Sequence, residues 1–321
     1  NRDKFVIECN KTALIRFRVS CNCKLNETLT GIDKTVADRA AAIQKQIDDD
    51  YGAVFAKTLY ELNGAKAPNG NRDGETNLGD LITDALVWGA KQNGETVDAA
   101  ITNGGGIRAT IKAGDITKKD INTVLPFGNT LSIVKVTGTE LLEALEASTY
   151  CTPDALGGFP QVSGIQFTID TGKSYDAGAL YPDSTYHAPK SINRVTIQSV
   201  GGKAFDEKAV YTIATNDFMA AGGDTYYAFK AASANYNIGV PMDEVLMDYI
   251  KTELKGVVGE TYVKPQGRIT LTKTEAPAEE PAKPAEPAQP STPAQPAKPA
   301  DGDGGETSYT VVSGDCLWNI A

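Results

Sequence analysis

The sequence predicts an α+β fold with mixed sheets, on three observations. Helix-period and strand-period stretches interleave without the regular βαβ alternation of a doubly wound sheet. The later half carries three strand-like runs in succession, Val162–Asp170, Ile192–Val200 and Val210–Thr215. The totals are those of ordinary globular material, with 321 residues, 41% hydrophobic and 22% charged. A domain of about 240 residues buries roughly three quarters of its unfolded surface, so it needs neither disulfides nor a metal to fold.

Residues Asn1–Thr30 are the least informative. Thr12–Val19 is β-rich in content, and the segment reads either as the tail of an upstream domain or as a non-native leader. From Asp33 to Ala56, Val36, Ala40, Ile43 and Ile47 recur at helical spacing. Thr76–Ala90 is an amphipathic helix with Leu78, Leu81, Ile82, Ala85 and Leu86 on one face and Asp80 and Asp84 on the other. Thr76 or Asn77 caps it. Val97–Ile101 reads as a buried strand running into Asn103-Gly104-Gly105-Gly106. Leu131–Val136 alternates as a strand, and Thr137-Gly138-Thr139-Glu140 is a capping box that opens a helix through about Ala147. Beyond the three later strands, Met242–Leu254 is a last amphipathic helix with Val245, Leu246, Tyr249 and Ile250 inward. Gly267–Thr272 closes the domain as a strand.

Three stretches offer chemistry. In Thr215–Phe229 a strand feeds Asn216-Asp217, an aromatic, an Ala-Ala-Gly-Gly hinge and a carboxylate. Gly222 and Gly223 let a ligand approach the backbone, and Phe218 and Asp224 suit a flat ring and a diol. The plainer alternative is a tight turn with Phe218 in the core. Asn103–Ala109, NGGGIRA, lacks both the Walker ending and the GxGxxG spacing. Its glycines allow backbone N–H groups to face a ligand, and Arg108 adds a charged planar fork suited to phosphate. A strand-to-helix turn with Arg108 in a surface ion pair explains it equally well. Leu125-Pro126-Phe127-Gly128-Asn129 places an aromatic on a constrained turn, where a phenylalanine is most often a core plug.

Taken in order, ETNLGDLITDAL, NGGGIRATIKAGDIT, LPFGNTLSIVKVTG and NDFMAAGGDTYYAF resemble four segments of the C-terminal domain of the 5′-nucleotidase family. The likeness runs from about Ile32 to Thr272. It implies a mixed-sheet α+β domain that binds the nucleotide, with Phe127 and Phe218 clamping the base and Asp224 accepting from the ribose diol. It also puts Asn103 at the base, Arg108 at the phosphate end and Asn129 in the same site. Many relatives carry an arginine just before the glutamate of ETNLG. Gly74 stands there in this chain, which leaves Arg72 as the second phosphate contact. In such proteins a pair of divalent metals and the catalytic groups lie in an N-terminal metallophosphoesterase domain, so the resemblance implies no catalytic residue, metal ligand or cofactor in this chain.

The totals agree with that division. A net charge of −10 argues against nucleic acid or an anionic membrane as partner. His187 is the only histidine, too few for a binuclear metal site. The five cysteines show neither a metal-ligand spacing nor a disulfide framework. No stretch is long enough to span a bilayer, and the start at Asn1 reads as a piece of something longer.

After Lys273 the composition changes. From Pro281 to Pro299 a proline stands at every third position, the period of polyproline II, giving a spacer of about 60 Å. YTVVSGDCLWNIA, Tyr309–Ala321, resembles the start of a LysM peptidoglycan-binding module, with Cys316 where Thr or Ser is usual. The expected organisation is thus an unassigned leader at 1–31, the nucleotide-binding domain at 32–273, a disordered Pro/Ala-rich linker at 274–307 and a truncated LysM start at 308–321. The implied parent is an extracellular, wall-associated bacterial 5′-nucleotidase that meets peptidoglycan through a complete LysM. The alternative is a non-catalytic wall-anchored nucleotide binder or adhesin.

Overall fold

A computed structural model describes residues 34–274. The leader at 1–31, the Pro/Ala-rich stretch from 275 onward and the LysM-like segment at 308–321 lie outside the described residues. The chain opens with α1 (Lys34–Tyr51), β1 (Val54–Thr58), α2 (Asn77–Gln92), β2 (Ala99–Asn103), β3 (Gly114–Thr117) and α3 (Lys118–Val124). Next come β4 (Thr130–Thr137), α4 (Gly138–Ser148), β5 (Pro160–Ser163), β6 (Ile165–Asp170), β7 (Ala177–Leu180) and β8 (His187–Pro189). It continues through β9 (Val195–Val200), β10 (Lys203–Ala204), β11 (Val210–Asn216), α5 (Asp217–Ala220) and α6 (Tyr227–Lys230). β12 (Ala234–Pro241), α7 (Met242–Asp248), β13 (Val257–Val258) and β14 (Ile269–Thr272) complete it.

The predicted α+β class with mixed sheets is what forms. At the centre a five-stranded sheet runs β12-β4-β11-β2-β5, and a four-stranded sheet runs β10-β9-β6-β14. In the central sheet β11 lies parallel to β2, while β4 is antiparallel to β11 and β5 antiparallel to β2. Period-2 alternation divides its side chains between two cores. Ala100, Leu131, Ile133 and Ala214 face α2 and α7, whereas Ala99, Ile101, Val134, Val136 and Ile213 face α4 and the second sheet.

The strand directions decide where the loops gather. The C-terminal ends of β2 and β11 and the starts of antiparallel β4 and β5 all fall at one edge, with Asn216 opposite Leu131 and Asn103 opposite Pro160. Four loops therefore converge there, carrying Asn103–Arg108, Phe127–Asn129, Gly157–Gly158 and Asp217–Asp224.

Local signals held where they were specific. Thr76 caps α2 by accepting from the Gly79 N–H, and Thr137 with Glu140 forms the reciprocal capping box of α4. Three expectations need correction. The helix expected through Ala56 stops at Tyr51, and Phe55 and Ala56 belong to β1. Within α1, Val36 and Ile43 are exposed, so their spacing marks no buried face here. The run Val162–Asp170 is two strands in different sheets, because Gly164 at φ +74° breaks it.

In α2 the polar face opposite the leucines is itself covered, and Asp80 is 0% exposed. Arg268 reaches back from just before β14 to place Nη2 2.8 Å from Asp84 Oδ2 and Nε 3.6 Å from Asp80 Oδ1. Tyr262 donates to Asp84 and Ser163 to its other oxygen, while Glu75 accepts from the Gln266 and Ile269 N–H groups. Burial pushes the Asp80 carboxyl up to about 8, with the Arg268 charge opposing the rise.

Candidate functional site

At the converging edge lies an open cleft of about 370 Å³, lined by Arg72, Asn103, Arg108, Phe127, Asn129, Phe218 and Asp224 together with Gly105, Gly106 and Gly157. All seven candidate side chains thus meet in one place, although they come from four separate stretches. The volume lies within the range of small-molecule sites.

Neither phenylalanine is a core plug. Phe127 is 60% exposed and Phe218 43%, which leaves both rings open to the cleft they line. Phe127 sits on the turn before β4, with Gly128 at φ +65°. The Arg108 guanidinium lies 5.5 Å from the centre of its ring, a cation–π distance. Phe218 sits on α5, whose first turn is fixed by Asn216 accepting from the Met219 N–H at 2.8 Å. A Cβ at Gly223 would stand 2.5 Å from the Phe218 ring, so only glycine lets the hinge fold flat against it.

Asp224 is held in a left-handed conformation at φ +53°, which asparagine and aspartate tolerate better than other side chains. Asn103 Nδ2 donates to Asp224 Oδ2 at 2.9 Å, and Asn103 Oδ1 accepts from Asn216 Nδ2 at 3.1 Å. The Asn103 amide is therefore engaged on both sides, and in this arrangement it aims Asp224. Burial raises the Asp224 carboxyl above the usual carboxylate range, partly offset by the Asn103 hydrogen bond and the Arg72 charge.

Neither arginine has a carboxylate of the described residues within ion-pair distance, although the Asp224 charge reaches Arg72. Among the described residues neither Arg72 nor Arg108 makes an ion pair, so the surface-pair alternative for Arg108 does not form. Among the described residues the Arg108 guanidinium donates only to the Gly105 carbonyl, and Arg72 Nε is buried with no acceptor. Burial and then the like charge of Arg108 pull the Arg72 guanidinium down from its ordinary range. An anion placed between them would relieve that repulsion.

Two glycines of the triplet act differently from the sequence expectation, while Gly106 lines the cleft. Gly104 and Gly105 donate their N–H groups to the Phe159 and Gly157 carbonyls, and a Cβ at Gly104 would lie 1.7 Å from the Asn71 carbonyl oxygen. These glycines serve close packing of two backbones. Sequence reasoning passed over Gly157, where Gly157-Gly158 carried a weak turn signal, and it noted Asn216-Asp217 without giving either side chain a role. Among the described residues no group of three or more His, Cys, Asp and Glu side chains could hold a metal, and no helix is long and apolar enough to cross a membrane.

Comparison with known proteins gives this edge a context. Residues 55–231 match the family described as 5′-nucleotidase, C-terminal domain. The chain is 36% identical over 200 residues to the trifunctional nucleotide phosphoesterase protein YfkN of Bacillus subtilis, covering 62% of this chain and 12% of that protein. It is 35% identical over 187 residues to the cell wall protein Lmo0130 of Listeria monocytogenes, covering 56% of this chain and 22% of the relative. The solved 5′-nucleotidase precursor from Thermus thermophilus superposes with a TM-score of 0.61 at 32% identity, over 75% of this chain and 43% of that one. The chain spans less than half of each of these relatives. With more than half of its residues matched and the mixed-sheet fold shared, the chain belongs to the 5′-nucleotidase C-terminal domain family.

Proposed function

We propose that this domain is the nucleotide-gripping part of a larger, secreted and wall-associated 5′-nucleotidase. The observation that carries the reading is the convergence on a single cleft of two open aromatic rings, one half-buried carboxylate and two guanidiniums with no ion pair among the described residues. Each group suits a different part of one molecule. The rings of Phe127 and Phe218 take the faces of a base, Asp224 accepts from the ribose hydroxyls, and Arg72 and Arg108 neutralise the phosphate. Aromatic faces stack on any base, so the grip is broad across nucleotides.

The described residues do not fit a divalent metal pair, since they bring together no cluster of suitable ligands. In this reading the metals and the groups that cleave the phosphoester belong to an N-terminal metallophosphoesterase domain of the parent. The residues of this chain bind and orient the substrate. Wall association is supported by the LysM-like Tyr309–Ala321 and by the likeness to a cell wall protein.

Calorimetric titration of the chain with AMP and with adenosine tests the grip. Arg108→Ala should weaken AMP by about tenfold or more, the worth of a charged hydrogen bond, and leave adenosine nearly unchanged. Equal weakening of both ligands removes Arg108 from the phosphate end, and absence of binding by the unmodified chain ends the reading.

A further inference from the structure

Asp217 does not line the cleft, yet three donors converge on one of its oxygens. Its Oδ1 accepts from Asn129 Nδ2 at 2.7 Å, from the Thr130 N–H at 3.2 Å and from the Phe218 N–H at 3.0 Å. Asn129 and Thr130 follow the Phe127 turn and Asp217 opens α5, so one carboxylate ties together the two segments that carry the aromatic rings.

The tie has a consequence for hydrogen-bond polarity. A carboxylate offers only acceptors, whereas a carboxamide has a donor end and an acceptor end. Asn129 must therefore turn its NH₂ group toward Asp217, because the opposite orientation would set two acceptor oxygens against each other. Its Oδ1 is then directed away from Asp217. Among the described residues no hydrogen bond reaches that oxygen, and it is not among the buried atoms left without a partner, on a side chain that lines the cleft.

We propose that Asp217 is a positioning residue for base selection: by holding Asn129 Nδ2, it presents Asn129 Oδ1 to the cleft as an acceptor. The cleft then favours bases whose edge carries an N–H donor, an exocyclic amino group above all. The inference rests on the nucleotide-binding reading of the cleft. It goes further by assigning the polarity of one contact to a residue that touches no ligand.

The test compares adenosine with purine riboside, which differ only in the exocyclic amino group, by calorimetry on the full chain, with thermal unfolding recorded alongside. The unmodified protein should bind adenosine about fivefold tighter, the worth of one neutral hydrogen bond. D217N keeps a carbonyl oxygen for the two backbone N–H groups and for Asn129, so it should retain that preference. D217A frees the Asn129 amide to rotate, and the preference should fall below twofold. Where D217A fails to fold, D217S retains an acceptor for the Phe218 N–H yet is too short to reach Asn129, and should give the same loss. If D217A or D217S weakens both nucleosides equally and keeps their ratio, Asp217 is only a structural tie and the inference is overturned. A ratio of one in the unmodified protein overturns it too, while leaving the nucleotide grip standing. Failure of the unmodified protein to bind either nucleoside would instead overturn the reading of the cleft itself.

Discussion

Replacing Phe218 with alanine should separate a ligand clamp from a core residue. Phe218 is 43% exposed, so its ring is little more than half buried, with Gly223 packed against it. Truncating a fully buried phenylalanine costs about 3–5 kcal/mol, and scaling to the buried share leaves roughly 2 kcal/mol. For a domain of this size that lowers Tm by about 4–8 °C. The ligand should feel the change more. Base–aromatic stacking is worth about 1–3 kcal/mol per ring, so adenosine should bind roughly ten- to a hundredfold more weakly. Phe229, 0% exposed and packed against Tyr226 at 5.1 Å between ring centres, provides the contrast. Phe229→Ala should cost about 3–5 kcal/mol in stability, and protein that remains folded should bind adenosine as before. Thermal unfolding and calorimetry on the two variants measure both quantities. The reasoning fails if Phe218→Ala destabilises as much as Phe229→Ala and leaves the affinity of the folded fraction unchanged.

Three other outcomes follow from the same geometry. Gly223→Ala should displace the Phe218 ring and weaken adenosine severalfold, whereas the double variant with Phe218→Ala should bind no worse than Phe218→Ala alone, as a double-mutant cycle will show. Asp80 is held protonated to about pH 8 when folded but ionises near 4 when unfolded, so its contribution to stability is greatest below pH 4 and falls as pH rises from 4 to 8. Asp80→Asn should flatten that fall, and the difference between the two denaturation profiles across pH 5–8 isolates it from other carboxylates. The chain alone should release no phosphate from AMP with or without added divalent metal, because the described residues form no metal cluster. Turnover that co-purifies and scales with the protein would remove the division of labour proposed above.

What the sequence made legible was local. Capping at Thr76 and at Thr137 with Glu140 follows from side chains three residues apart, and such rules operate wherever the chain goes. Of the cleft candidates, Arg108, Phe127, Phe218 and Asp224 stood out by residue type in turn-rich stretches, whereas Arg72, Asn103 and Asn129 entered only through the family resemblance. Long-range compensation was not legible. Nothing in the spacing of Asp80 and Asp84 shows that Arg268, 184 residues beyond Asp84, pairs with them. Gly164 shows how little separates one long strand from two, since its neighbours have continuous strand character and only a positive φ divides them. Short strands such as β1 and β13, which pair in parallel at Lys57 with Val257, have too few residues to show a period. The supports of the site, Asn216 and Asp217, were hidden for another reason. Both are ordinary helix-start residues in sequence, and the pairing of β11 with β4 on one side and β2 on the other brings them beside Asn129 and Asn103.

The measurement closest to the central claim is a crystal structure of the chain grown with saturating AMP. The account predicts the base between the Phe127 and Phe218 rings, the ribose hydroxyls within hydrogen-bond distance of Asp224, and the phosphate between Arg72 and Arg108. AMP bound elsewhere on the domain, or a cleft that stays free of nucleotide at saturation, would contradict it.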